Sequence, residues 1–113
     1  MDNSKKYVMK ANPALWQPPD WHADFADVVS EFLSLRALAI KLYRVSGLDT
    51  SLVGFEDGYM ALQINKFNRP FVEVYSLVEG RKARFGVFAL DGVSEDEMYF
   101  DTVADVVAML ESE

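Results

Sequence analysis

From Ser51 to Phe100, apolar and polar side chains alternate with a period of two, and no helical stretch interrupts them. Successive side chains of a strand point to opposite faces, so this alternation is the signature of half-buried strands. It predicts strands near 51–55, 59–65, 71–78, 82–90 and 97–101. The breaks Glu56-Asp57-Gly58, Phe67-Asn68-Arg69-Pro70, Glu79-Gly80-Arg81 and Asp91-Gly92 each carry turn chemistry. Parallel neighbours need long crossover connections, usually helical, and none separates these strands. The sheet is therefore expected to be an antiparallel meander.

The same alternation sorts the side chains by face. Met60, Leu62, Ile64, Val72, Val74, Val78, Phe85, Val87 and Ala89 fall on one side, which is almost wholly aliphatic and is where helices should pack. Tyr59, Gln63, Phe71, Glu73, Tyr75, Leu77, Arg84, Phe88 and Leu90 fall on the other. That second face mixes aromatics with isolated charges. It is either a wet sheet face, a face covered by the Trp16 arm, or a binding surface, since Tyr and Arg are enriched at binding hot spots.

Ahead of the sheet, Pro13, Pro18 and Pro19 break any periodicity, so residues 1–20 read as an irregular arm. Trp21, Phe25, Val28, Phe32, Leu35, Ala39 and Leu42 then recur at spacings of four and three, predicting an amphipathic helix over 21–46. Asp20 stands at its N-cap, and Gly47 suits the left-handed position that ends it. Val29, Leu33, Ile40 and Tyr43 widen the apolar surface beyond a single stripe. Thr102-Val103-Ala104-Asp105 resembles a capping box, and Val103, Val106, Val107 and Leu110 stripe a short closing helix. The expected fold is α+β: an irregular arm over 1–20, then one domain over 21–113. That domain comprises a long N-terminal helix, a meander of four or five strands and a short C-terminal helix.

Half of the 113 residues are apolar, enough for one core without disulfides or metal. The chain has no cysteine, and no apolar stretch follows Met1-Asp2-Asn3-Ser4-Lys5-Lys6. The apolar run from Val28 to Tyr43 is interrupted by Glu31, Arg36 and Lys41, so it does not read as a membrane span. These features point to a cytoplasmic protein with no membrane partner. The net charge is −7, and from Asp91 onward there are eight carboxylates and no Lys or Arg. Such a surface repels phosphate backbones and attracts basic proteins, which argues against a nucleic-acid partner.

Chemistry-bearing motifs are sparse. His22 is the only histidine, and without cysteine it cannot join a Cys/His zinc site. Its place in the first helical turn suggests capping or contact with Asp24. No Ser sits in a nucleophile motif, and the glycines form no phosphate loop. Asp91-Gly92-Val93-Ser94-Glu95-Asp96-Glu97 lacks the ligand spacing of a calcium loop. No catalytic residue, metal or cofactor is therefore expected, and the chain does not read as an enzyme.

The closing run Tyr99-Phe100-Asp101-Thr102-Val103-Ala104-Asp105-Val106-Val107-Ala108-Met109-Leu110, in an acidic, cysteine-free α+β domain, resembles the ending of several small bacterial toxin-immunity proteins. The resemblance implies a cytoplasmic inhibitor that occludes the active site of a cognate toxin domain. A nuclease-type toxin with a basic cleft suits the negative charge. On that reading the partner-binding residues are Asp91, Glu95, Asp96, Glu97, Asp101 and Asp105, extended by Tyr75 and Phe88 on the sheet. A weaker resemblance is to small acidic secretion chaperones, which bind an effector as dimers. The wide apolar girdle of the long helix also admits a homodimer.

Overall fold

The computed structural model describes residues 6–22, 24–45, 47–57, 59–76, 84–89 and 97–112. Among these, six strands form one sheet in chain order: β1 (Lys6–Met9), β2 (Leu48–Phe55), β3 (Met60–Lys66), β4 (Arg69–Ser76), β5 (Phe85–Ala89) and β6 (Glu97–Phe100). Every neighbouring pair is antiparallel. Helices α1 (Ala26–Leu42) and α2 (Val103–Ser112) complete an α+β fold.

The antiparallel sheet follows the alternation, but two expectations need correction. The sheet has six strands rather than four or five, and the long helix follows a strand instead of opening the fold. The added strand is β1, within the stretch read as an irregular arm. Its four residues pair with Leu52, Val53, Gly54 and Phe55 of β2 and turn Tyr7 and Met9 toward the core. Four residues offer only two alternations, too few to stand out between lysines and prolines.

The helix boundary also moves. Asp20 does not cap α1; it opens a 3₁₀ turn, Asp20–His22, and α1 begins at Ala26 behind Phe25, which makes no side-chain cap bond. The cause is His22, which is 1% exposed. Its Nε2 lies 3.0 Å from the Phe55 carbonyl oxygen, and its ring meets Tyr7 edge-on. Drawing this imidazole into the interior holds the backbone in the tighter turn, with the His22 N–H donating to Pro19 O. His22 is thus a buried tie between the helix entry and the sheet.

Phe32, Leu35, Leu38, Ala39 and Leu42 form the buried stripe of α1. They share one core with Leu52, Leu62, Ile64, Val72, Val74, Phe85 and Val87 of the sheet and Val106 and Leu110 of α2. Each large apolar side chain fully buried there stabilises by roughly 1.5–3 kcal/mol. Trp16 joins this core on the helix side. Its indole N–H donates to Lys10 O, and Arg36 donates to Trp16 O, so the Trp16 arm does not cover the mixed sheet face. The outer side of α1 keeps Leu33 and Tyr43 exposed.

The β3–β4 hairpin turns on two residues, Phe67 (φ 50°) and Asn68 (φ 67°). Both lie in the left-handed region, as a type I′ turn requires. Asn tolerates it, whereas a bulky Phe there is unusual. Phe67 is held by its surroundings: its N–H donates to Gly47 O at 2.8 Å, and its ring occupies the space above Gly47. Gly47 has φ 85° and lies in the turn between α1 and β2, beyond the helix end at Leu42. A Cβ on Gly47 would sit 2.6 Å from Phe67 Cε1. Gly47→Ala should therefore combine left-handed strain with a clash and cost about 2 kcal/mol, read as a lower urea midpoint at unchanged m-value.

Burial at the β1 end leaves a pH signature. Burial pushes the Tyr7 hydroxyl from 10.0 up to about 12. Tyr7 thus loses its proton more readily in the unfolded chain than in the folded one. Its contribution to stability is whole below pH 10 and is lost as pH rises through about 12. Tyr7→Phe should flatten the alkaline fall in stability between these limits, measured by urea unfolding at stepped pH.

Candidate functional site

The face opposite the helices carries the polar chemistry. Register places Ser51, Gln63, Glu73, Phe88 and Glu97 in one row across β2 to β6. Among the described residues both helices and the Trp16 segment lie on the other side. Tyr59 and Tyr99 on this face are 53% and 57% exposed.

Two tyrosine–carboxylate groups organise it. The Tyr59 hydroxyl donates to Glu73 Oε1 at 3.2 Å. The Tyr75 and Tyr99 hydroxyls both donate to Glu97 Oε2, at 2.5 and 2.8 Å. The Tyr75 ring reaches Glu97 by lying across Gly86, where any Cβ would run into it. Glycine at this register position is therefore what lets the ring lie flat between β4 and β6.

These bonds set the ionisation. Hydrogen bonds from Tyr75 and then Tyr99 hold the Glu97 carboxyl below its ordinary value, so it is charged at neutral pH. The bond to Glu97 raises the Tyr75 hydroxyl well above the ordinary tyrosine value, with burial adding to it. Burial and then the charge of Glu73 raise Tyr59. The outcome is a firmly ionised carboxylate held by neutral phenols.

The structure unites three of the residues singled out from sequence: Tyr75, Phe88 and Glu97. Phe88 is the direct cross-strand neighbour of Glu97. Asp101 and Asp105 are exposed but lie beyond the end of β6, Asp101 in the bend after it and Asp105 in α2, off the row that holds Glu97. Asp105 sits in the first turn of α2, where its N–H donates to Thr102 Oγ1 at 3.1 Å, which makes Thr102 the expected cap. Asp91, Glu95 and Asp96 lie outside the described residues.

Glu73, Tyr59 and Tyr99 also belong to the site, although sequence reasoning did not single them out as partner-binding. Alternation put Tyr59 and Glu73 on this face, but only register shows that Glu73 and Glu97 flank the same Phe88. Arg84, read as part of this face, instead lines an open groove with Asp24, Val29, Leu33 and Val103 on the helix side. Among the described residues no three His, Cys, Asp or Glu side chains gather in a metal-holding group, and no helix is long and apolar enough to cross a membrane.

Comparison with protein-family models, with curated proteins and with solved structures returned no match for this chain.

Proposed function

We propose that the chain acts by binding another protein through the open sheet face, as an inhibitor of a basic partner. The relationship is that of a cytoplasmic immunity protein to a nuclease-type toxin. What supports this reading is the Tyr75–Glu97–Tyr99 group, a charged carboxylate fixed between phenols on an exposed sheet surface. Ordering these side chains before the partner arrives reduces the entropy lost on association. The net charge of −7 supplies the long-range attraction. A basic cleft that binds nucleic acid would meet complementary potential here, and the inhibitor would exclude substrate by covering the cleft. The role requires no reaction.

The test is calorimetric titration of the purified chain with the product of its neighbouring reading frame, with nuclease activity measured alongside. The expected result is stoichiometric binding with loss of nuclease activity. A toxin that binds no chain, or that stays active in the complex, would contradict the reading.

A further inference from the structure

The open face contains Phe55 of β2 and Phe88 of β5, whereas Phe71, the extra residue at the β3–β4 bulge, packs against the core instead of lying on this face as alternation had placed it. Phe55 carries a cation supplied by the chain: Lys6 Nζ lies 6.0 Å from the centre of its ring, just as Lys66 Nζ lies 5.1 Å from that of Phe71. Among the described residues no Lys or Arg stands over Phe88. Yet Phe88 is the ring with carboxylates on both sides in direct register, Glu73 on β4 and Glu97 on β6.

Spacing makes the arrangement specific. Strands lie about 4.8 Å apart, so the backbone positions of Glu73 and Glu97 flank that of Phe88 at roughly 10 Å from one another. Tyr59 donates to only one oxygen of Glu73, and Tyr75 and Tyr99 both donate to the same oxygen of Glu97. The second oxygen of each carboxylate remains an acceptor among the described residues. A planar cation lying on the ring would meet an acceptor at each edge. Guanidinium has that shape: it stacks on aromatic faces and donates in its own plane, whereas ammonium is a compact point charge that keeps its water.

We propose that Phe88, bracketed by Glu73 and Glu97, is a docking site for an arginine side chain of the protein partner. This rests on the reading of the open face as a protein-binding surface and adds the chemistry it selects. Lysine would be attracted by the same charge but would not be held in the same plane.

Hexa-arginine and hexa-lysine peptides serve as probes, titrated at low salt into the isotope-labelled protein and followed by NMR. Hexa-arginine should shift the ring resonances of Phe88 and the side-chain carboxyls of Glu73 and Glu97, and bind about tenfold more tightly than hexa-lysine. Phe88→Leu should remove that preference while leaving the weak, salt-sensitive attraction common to both peptides. Glu73→Gln combined with Glu97→Gln should weaken hexa-arginine more than hexa-lysine, and a retained amide fingerprint would show that each variant is folded. Equal affinity for the two peptides, or an arginine preference that survives Phe88→Leu, overturns the proposal. If the toxin complex forms normally with Phe88→Leu, the arginine site is wrong and the protein-binding reading stands. If the probes behave as expected but no toxin is inhibited, the site stands and the immunity reading falls.

Discussion

Val74→Asp should abolish folding, giving a chain whose circular dichroism lacks the native sheet signal at neutral pH. Val74 is fully buried, in register with Leu62 on one side and Val87 on the other, in the middle of the core. An aspartate there must either remain charged without a partner or take up a proton. The first costs several kcal/mol even after the structure relaxes. The second, at pH 7, requires lifting the carboxyl by about three pKa units, which is about 4 kcal/mol. The apolar burial lost with the valine adds roughly 1.5 kcal/mol or more to either route. Domains of this size are stable by only roughly 5–15 kcal/mol, so the substitution consumes most or all of the margin. The adjacent residue supplies the control. Glu73 points to the opposite face and is paired with Gln63 and Phe88, so Glu73→Lys should leave the protein folded. A folded Val74→Asp, or an unfolded Glu73→Lys, would mean that the two faces of β4 have been assigned the wrong way round.

That contrast marks the part of the fold legible without coordinates. Strand alternation is a strong local signal, and it placed Met60, Leu62, Ile64, Val72, Val74, Phe85 and Val87 in the core, where the structure buries them. The breaks at Glu56-Asp57 and Phe67-Asn68 do separate β2 from β3 and β3 from β4, although Arg69 and Pro70 belong to β4 rather than to the turn, and the breaks at 79–81 and 91–92 lie outside the described residues. What stayed hidden depends on contacts distant in sequence. β1 exists as a strand because β2 offers it an edge. The helix starts late because His22 is drawn against Phe55, 33 residues away. Phe67 accepts a left-handed backbone because Gly47 leaves room for its ring. The site divides in the same way. The charge of Glu97 and the aromatic character of Tyr75 and Phe88 could be read from the chain. Their convergence could not, because it depends on the register of β6 against β5. Glu73 was an ordinary charge in the middle of a strand until that register set it opposite Phe88.

The second large effect concerns association. The triple variant Glu95→Lys, Asp96→Lys, Glu97→Lys changes the net charge from −7 to −1, since each substitution adds two positive charges. Charge-steered association is faster than uncharged encounter by roughly 10–1,000-fold at low ionic strength. Removing most of the net charge, and reversing it at residues 95–97, should slow association with a basic partner by at least about tenfold. The remaining rate should depend only weakly on salt, because the interaction that salt screens has been removed. Stability should hardly change. Glu97 is exposed, so the loss of its bonds from Tyr75 and Tyr99 falls on groups that water can serve instead. The dissociation rate separates steering from contact. Loss of Glu97 from a site that grips an arginine should also speed dissociation, whereas Glu95→Lys with Asp96→Lys alone should change mainly the association rate. Stopped-flow mixing at several salt concentrations measures both. Association at the wild-type rate in the triple variant would reduce the carboxylates of residues 95–97 to a solubility device and remove Glu97 from the recognition of the partner.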